Sequence, residues 1–388
     1  MNDAPVYLDW NATTPVGPEA VAEMLDTMRR AWANPSSTHA PGQAARRVLV
    51  DARARVAGFL GALPAELVFT SGATEANHHA VLGALAAGRG SDRQRWVLSA
   101  VEHPGLLALA DRLQAEGTPV DRIPVDGQGR LDLAAAQALI GPDVALVSVM
   151  AANNEVGTVQ PIAQIGALCR ALGVPFHTDA VQTAGKLSLD VNALNVDALA
   201  VSAHKFNGPK GVGFLYLRQG TPFQSTQTGA GHESDRRAGT ENVPLIVGMA
   251  AALALADGER EAENARLRVL RDRLIGGILE EVEGAQLTGS PTHRLDNHAS
   301  FVIEGVEAEG ILIGLDLAGI AASSGSACTN ASQRPSHVLE ALGIPHRLAA
   351  ASLRLTLGYS TTPSHVETLL SELPRIVHRI RGASPVRL

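Results

Sequence analysis

The amino-acid sequence predicts an α/β protein with a mainly parallel central sheet flanked by helices, and with a smaller α+β domain at its C-terminal end. Three observations support this prediction. Short β-rich runs alternate with helical stretches between about residues 45 and 220, as in βα units. Polar and reactive residues follow directly after several of these runs. After Asn242 the pattern changes, and a long charged helix leads into the last third of the chain.

The regular elements can be placed from apolar runs and from the glycine and proline residues that interrupt them. In the first part of the chain we predict strands at 66–70, 95–100, 145–150, 175–178, 198–202 and 213–217. Helices are predicted at 42–60, 74–87 and 162–172, and the long charged helix at about 257–282. The C-terminal part contains a predicted strand at 299–303, a helix at 308–317 and a strand at 353–357. We therefore expect a large domain of residues 15–256 and a small domain of residues 1–14 and 257–388.

Composition limits the class of protein. The 388 residues are 45% hydrophobic and 18% charged, which is typical of a globular protein with a substantial core. A formal charge of −7 and a pI near 6.0 predict no direct nucleic-acid partner. No segment has the roughly 20 uninterrupted apolar residues of a membrane span, so we expect a cytoplasmic protein without membrane contact. Two cysteines, Cys169 and Cys328, are too few for a disulfide framework or a four-cysteine metal site, and no metal is expected.

Asp179 and Lys205 follow two predicted strands, at a spacing that fits one βαβ crossover. Ligands of open α/β sheets bind at the carboxyl ends of the strands, so both side chains can serve one site. A lysine that carries the cofactor and an acid that keeps the pyridine nitrogen protonated are the two groups that pyridoxal 5′-phosphate (PLP) needs. Alone, Asp179 could be a helix N-cap and Lys205 a surface lysine, but the pair favours the cofactor. The other two lysines, Lys186 and Lys210, lie at a predicted helix end and in a glycine-proline turn and are weaker candidates.

Residues 69–77 pass from a predicted strand into a helix through a turn of small and hydroxylated residues. Amide donors at a helix start bind phosphate, so this turn predicts a phosphate site. A capped helix that follows a strand has the same sequence pattern and remains the alternative.

Ordered motifs run along nearly the whole chain: YLDWNATTP at 7–15, NPSS at 34–37, SGATEAN at 71–77, EHP at 102–104, NNEVG at 153–157, DAVQ at 179–182, SAHK at 202–205, RAGTEN at 237–242 and SSGSAC at 323–328. This series resembles the cysteine desulfurases of the NifS and IscS type, which have the class V aminotransferase fold. The resemblance implies a PLP-dependent transferase of fold type I. It also implies an enzyme that removes sulfur from L-cysteine, releases L-alanine and leaves a persulfide on Cys328.

The resemblance implies a role for each residue around the cofactor ring. Lys205 carries the cofactor and moves protons, Asp179 pairs with the pyridine nitrogen, and Gln182 bonds the phenolic oxygen. His103 stacks on the ring as a catalytic residue, and Asn154 lies beside it. His103 precedes a proline and could instead simply end a strand.

The phosphate is expected to lie among Ala73, Thr74, Ser202 and His204. Thr240 would reach the same phosphate from the other subunit of a homodimer, so the resemblance implies that two chains build each site.

Arg354, helped by Asn34, is expected to hold the substrate carboxylate with its planar guanidinium fork. Arg354 could also be a structural ion-pair partner. Cys328 lies in a run of small and polar residues with turn character, which predicts an exposed loop that can reach the substrate and then an acceptor protein. Cys169 lies among apolar residues on a helix and is expected in the core.

Other functions remain open at this stage. The nearest are a selenocysteine lyase, an enzyme acting on cystine, or a class V aminotransferase; an aminotransferase has no need of Cys328. A non-catalytic scaffold for sulfur-transfer partners has no reason to keep Lys205, Asp179 and Cys328 together. The acceptor of the sulfur is expected to be an iron–sulfur scaffold or a tRNA-thiolation protein, and the sequence does not choose between them.

Overall fold

The protein is described by a computed structural model, which covers residues 5–325 and 336–383. Its strands are β1 (Val6–Tyr7), β2 (Leu67–Thr70), β3 (Arg95–Ser99), β4 (Val120–Ile123), β5 (Val144–Ser148), β6 (Phe176–Asp179), β7 (Ala198–Ser202), β8 (Gly213–Leu217), β9 (Ala285–Leu287), β10 (His298–Ile303), β11 (Ile320–Ala321) and β12 (Ser352–Thr356). Its helices are α1 (Pro18–Arg30), α2 (Ala40–Leu60), α3 (Ala73–Ala87), α4 (Pro104–Ala115), α5 (Leu133–Leu139), α6 (Ile162–Leu172), α7 (Val243–Glu281), α8 (Ala308–Leu317), α9 (His337–Ala341), α10 (His346–Ala349) and α11 (Pro363–Ala383).

A seven-stranded sheet in the order β2-β8-β7-β6-β5-β3-β4 forms the centre of the molecule. The five strands from β4 to β7 along this order are parallel. Strand β8 runs antiparallel to both of its neighbours, β7 and β2. Strands β5, β7 and β8 are buried along their whole length, which explains why they read as continuous apolar runs. The predicted mainly parallel sheet is confirmed.

Helices cover both faces of this sheet. Successive residues of a strand point to opposite sides, so the apolar strands need a covering layer on each face. On β3, Trp96 packs in a cluster with α3 and α4. Its neighbour Val97 packs on the other face, in a larger cluster with α2, α6 and the first half of α7. The loops after the parallel strands therefore meet at one edge of a sheet whose two faces are filled by apolar side chains.

A three-stranded antiparallel sheet, in the order β12-β10-β9, packs against the second half of α7, α8 and α11. Leu8, from the start of the chain, belongs to the same apolar cluster. Helix α7 contributes to both apolar clusters and so connects the two parts of the chain. The division into a large domain of residues 15–256 and a small domain of residues 1–14 and 257–388 is therefore a proposal.

Two of the differences between the predicted and the observed elements have clear physical reasons. Helix α7 begins at Val243, not near 257, because its first turns are buried on most sides and lack the charged pattern that marks its second half. Strand β4 was not predicted, because Asp121 and Arg122 interrupt its apolar pattern at the border of the sheet. Within residues 5–325 and 336–383, no helix combines the length and apolar character that crossing a membrane requires.

Candidate active site

A cavity of about 560 Å³ opens where the loops after β2, β3, β5, β6 and β7 meet. This is the edge at which open α/β sheets bind ligands. The predicted site residues that line it are Ala73, Thr74, His103, Asn154, Asp179, Gln182, Ser202, His204, Lys205 and Arg354. The structure therefore brings together residues from six separate parts of the chain.

Two predicted residues are not in this cavity, and a third lies outside the described residues. Asn34 and Thr240 line a separate pocket of about 380 Å³ beside Trp32, so one chain alone does not bring them to Lys205. Cys328 lies outside the described residues. Gly325, three positions before it in the sequence, lines the main cavity.

Asp179 ends β6 and is buried at the cavity wall. Its Oδ2 accepts a hydrogen bond from Asn77 Nδ2 at 2.6 Å, and its Oδ1 accepts one from the amide of Val181 at 2.9 Å. These two hydrogen bonds hold the Asp179 carboxyl group in one orientation at this wall.

A second carboxyl group, Glu102, is fully buried close to Asp179. Its Oε1 accepts from the Met150 amide at 2.6 Å, and its Oε2 has no hydrogen-bond partner among the described residues. Burial, and then the negative charge of Asp179, raise the pKa of Glu102 well above its ordinary value of 4.5. Glu102 therefore keeps its proton near pH 7.

Replacing Glu102 by glutamine is expected to increase stability relative to the wild type as pH rises above 4.5. In the unfolded wild type this carboxyl loses its proton near that pH, whereas the folded protein keeps it. The folded state then binds more protons, so wild-type stability falls with rising pH, by about 1.4 kcal/mol per unit of pKa difference. Glutamine has no such proton. Urea unfolding of both proteins at pH 5 and pH 8 measures the effect. If the variant and the wild type differed in unfolding free energy by the same amount at both pH values, the prediction would be wrong.

Lys205 follows β7 and is tied to the N-terminal segment. Its Nζ donates to the carbonyl oxygens of Asn11 and Ala12 at 2.7 and 2.8 Å. Gln182 Nε2 donates to the same Asn11 oxygen at 3.1 Å, while its Oε1 has no partner among the described residues. The amine and the Gln182 amide therefore both donate to one carbonyl oxygen at the cavity wall.

Two histidines of the cavity are kept neutral near pH 7. His103 caps α4, with its Nδ1 accepting from the Gly105 amide at 3.1 Å. Burial lowers its pKa, and Lys205 adds to this against the opposing effect of Asp179. Burial and then Lys205 lower the pKa of His204 to about 4. Each ring therefore has one nitrogen that donates and one that accepts.

Helix α3 begins at the cavity with Ala73, and its N-cap is Gly72, which offers no side chain to the first amides. Uncapped amides and the helix dipole together favour an anion at this position. Asp179 and Gln182, the residues expected to face the cofactor ring, lie in the same cavity. An acid, an amide, an amine and an uncapped helix start are the groups that PLP needs, so the residues present fit this cofactor.

Arg354 lies on β12 and is almost fully buried beside the cavity. Its Nη2 pairs with Asp9 Oδ1 at 2.6 Å, and its Nη1 donates to the carbonyl of Asn154 at 3.1 Å. The structural ion pair considered above therefore exists. The buried Nε has no partner among the described residues, so the guanidinium retains one donor.

Sequence reasoning assigned no role to Asn77, Glu102 and Asp9. Asn77 and Asp9 lie inside motifs, but their contacts with Asp179 and Arg354 join distant parts of the chain. For Asn77 there was no local signal, because Thr74, Glu75, His78 and His79 are polar residues of the same helix half. Cys169 is buried as expected, and burial raises the pKa of its thiol to about 12, so it is not a nucleophile at neutral pH.

Comparison with known proteins gives one consistent result. The family model for class V aminotransferases matches residues 6–369. A cysteine desulfurase of Cereibacter sphaeroides is 46% identical over 98% of this chain and 97% of its own length. The cysteine desulfurase NifS of Azotobacter vinelandii is 44% identical over 98% of this chain and 95% of its own. A solved structure of a NifS-like protein superimposes with a TM-score of 0.91 at 33% identity, covering 97% of this chain and 100% of that one.

Proposed function

The chain belongs to the class V aminotransferase family as a cysteine desulfurase of the NifS and IscS type, and we propose that the cavity around Lys205 and Asp179 is its active site. The enzyme removes sulfur from L-cysteine and releases L-alanine. One observation carries the assignment of the site: a single cavity gathers a lysine amine, a buried carboxylate and an uncapped helix start. These groups come from separate strands of one sheet, so their meeting is a property of the fold.

The cofactor of the proposed site is PLP. When bound, PLP supplies an electron sink for the charge left on a substrate that has lost its α-proton. Asp179 would place its negative charge at the pyridine nitrogen, and Gln182 would donate to the phenolic oxygen. Ala73 and Thr74, with Ser202 and His204, would surround the phosphate at the start of α3.

Lys205 would act as the base of the reaction. Its Nζ takes the α-proton of L-cysteine, and the two carbonyls that now accept from it keep the amine at the cavity wall. The neutral ring of His103 would lie over the cofactor and exclude water from that face. Arg354 would use its unpaired Nε, and donors released from its present partners, to hold the substrate carboxylate.

Cys328 would receive the sulfur. Its thiolate attacks the sulfur atom of the substrate, an S–S bond forms, and the bond between sulfur and Cβ breaks with its electron pair left on the carbon side. Protons return to carbon to complete L-alanine. L-cysteine and the Cys328 thiol are thereby converted into L-alanine and a Cys328 persulfide, with no other oxidant or reductant. The position of Gly325 at the cavity supports this role.

The persulfide would pass to an acceptor protein for iron–sulfur cluster assembly or tRNA thiolation. A cytoplasmic location suits this role, because a reducing compartment keeps a catalytic thiol available. Incubation with L-cysteine, L-selenocysteine, or L-alanine plus a 2-oxo acid tests the assignment against its alternatives. We expect alanine and transferable sulfur from L-cysteine, and no sustained amino-group transfer. Preferential turnover of selenocysteine would instead indicate a selenocysteine lyase, and steady amino-group transfer would indicate an aminotransferase.

Replacing Arg354 by lysine is expected to raise KM for L-cysteine about 10- to 100-fold, because lysine keeps the charge but loses the planar fork. Steady-state kinetics measure this. Asp9→Asn is the matched control, since it weakens only the structural ion pair at Nη2. The Asp9 variant should leave KM within about 3-fold of the wild type, because the amide oxygen of asparagine can still accept from Nη2 and hold the guanidinium in place. An equal rise in both variants would show that Arg354 acts through the ion pair alone.

We further propose a homodimer in which Thr240 approaches the phosphate of the other subunit. Val21, Leu25 and Met28 form an exposed apolar stripe on α1, and Trp32, beyond its end, is 73% exposed. Trp32 lines the same pocket as Thr240. Exposed apolar patches of this kind mark interaction surfaces.

Replacing Trp32 by glutamate is expected to shift the protein from dimer toward monomer and to weaken PLP binding at the same time, because Thr240 then no longer reaches a second site. Sedimentation velocity and PLP titration measure the two effects. Leu317→Glu is the control, since Leu317 is an exposed apolar side chain on α8. A Trp32 variant that sediments like the wild type would exclude this surface as the interface.

A further inference from the structure

A row of buried side chains links Trp96 to Asp179. The Trp96 indole Nε1 donates to Ser148 Oγ at 3.0 Å, and Ser148 Oγ lies 3.2 Å from His177 Nδ1. His177 Nε2 lies 3.0 Å from Asn77 Oδ1, and Asn77 Nδ2 donates to Asp179 Oδ2 at 2.6 Å. All five side chains are buried. We call this row the Trp96–Asp179 relay.

The relay follows from the geometry of the sheet. Ser148 on β5 and His177 on β6 are directly paired neighbours, so their side chains emerge on the same face. Trp96 reaches them from β3, the next strand. Asn77 reaches them from α3, which packs against β5, β6 and β7. The relay therefore connects a helix that begins at the cavity with the strand that ends in Asp179.

Its two ends fix the direction of every hydrogen bond. An indole N–H can only donate, and a carboxylate can only accept. Asn77 donates its NH₂ group to Asp179, so its Oδ1 faces His177 Nε2 and can only accept; Nε2 therefore carries the proton of the ring. Nδ1 of the neutral ring then accepts the hydrogen of the Ser148 hydroxyl, which itself accepts from Trp96. The Asn77 amide is thereby oriented with its NH₂ group toward Asp179, and a flipped amide would place oxygen against oxygen.

His177 suits this role because it stays neutral. Burial lowers the pKa of its ring to about 3. A doubly protonated ring would have no acceptor for the Ser148 hydroxyl and would break the relay at that point. One tautomer therefore persists over the pH range in which the enzyme works.

We propose that His177 is a positioning residue of the active site, which orients the Asn77 amide through the Trp96–Asp179 relay and thereby holds the Asp179 carboxylate in its cofactor-binding orientation. This inference rests on the role proposed for Asp179. The alternative is that the relay only satisfies buried polar groups of the core, as such groups generally require. The two accounts differ in one respect: positioning acts through Asp179, whereas a role in the core does not depend on it.

A double-mutant cycle on PLP affinity separates these accounts. PLP is titrated into apoprotein carrying His177→Phe, Asp179→Asn or both, and thermal unfolding of each apoprotein is recorded. We expect His177→Phe to weaken PLP binding about 10-fold in the wild-type background and less than about 2-fold beside Asp179→Asn. His177→Gln, which can still donate to Asn77, should stay within about 3-fold of the wild type. Equal weakening in both backgrounds, or none in either, would overturn the proposal.

A spectroscopic measurement extends the test to the far end of the relay. The chain has only three tryptophans, so ¹⁵N-labelled indoles give three signals, and the Trp96 signal is the one absent from Trp96→Phe. The Trp96 signal should shift when PLP binds to the wild type and should not shift in Ser148→Ala, which breaks the relay without removing His177. Ser148→Ala also replaces His177→Phe in the cycle if that variant does not fold. An indole signal that shifts equally in Ser148→Ala would contradict the relay. Both measurements report on PLP binding, so their outcome is separate from whether L-cysteine is turned over.

Discussion

Replacing Lys205 by alanine is expected to lower the turnover of L-cysteine by about 10²- to 10⁴-fold, the contribution typical of a positioned base. The physical reason is that, in the proposed site, Nζ of Lys205 would both carry the cofactor and take the α-proton. The variant should still bind PLP noncovalently, because Asp179, Gln182 and the start of α3 remain. Alanine release under saturating L-cysteine measures the loss.

Lys205→Arg is the matched control. Arginine keeps a positive charge that can donate to the Asn11 and Ala12 carbonyls, but it stays protonated and cannot act as a base. Both variants should lose turnover equally, while only Lys205→Ala loses the contacts with the N-terminal segment. If Lys205→Arg retained more than about a tenth of wild-type turnover, the amine would not be the base.

The second large effect is expected for Asp179→Asn, which keeps the shape of the side chain and removes its charge. We expect kcat/KM to fall about 100-fold or more, as when one partner of a buried charge pair is lost. Asparagine also sets an NH₂ group against one of the two donors that now serve the carboxylate. Kinetics, together with the pH titration of the absorbance of bound PLP, measure the effect. A variant with wild-type kinetics would show that Asp179 has no role in the reaction.

The cavity was predictable because most of its residues follow strands of one mainly parallel sheet. Asp179 is the last residue of β6, and Lys205 follows β7, the neighbouring strand in the sheet. Ala73 and Thr74 begin the helix that follows β2. When a residue directly follows a predicted strand, the local sequence therefore indicates both the strand it follows and the edge of the sheet at which it lies. The start of α7 at Val243 was missed because a helix segment buried on most sides has no amphipathic period to detect.

The electrostatic part of the site was not predictable, because it depends on pairs that are remote in sequence. Arg354 meets Asp9 across 345 positions, and Asn77 meets Asp179 across 102. Nothing local distinguishes Glu102 from an exposed glutamate. Its raised pKa follows from complete burial beside Asp179, and both features arise only when β3 and β6 are placed in the same sheet.

The account as a whole depends on sulfur leaving L-cysteine through Cys328. The direct measurement is the paired yield of alanine and sulfide from L-cysteine under reductant, for the PLP-loaded protein and its Cys328→Ala variant. Equal yields of alanine and sulfide from the intact protein, with sulfide lost in the variant, are the predicted result. An intact, PLP-loaded protein that releases no alanine, or a Cys328 variant that releases sulfide as fast as the wild type, would contradict it.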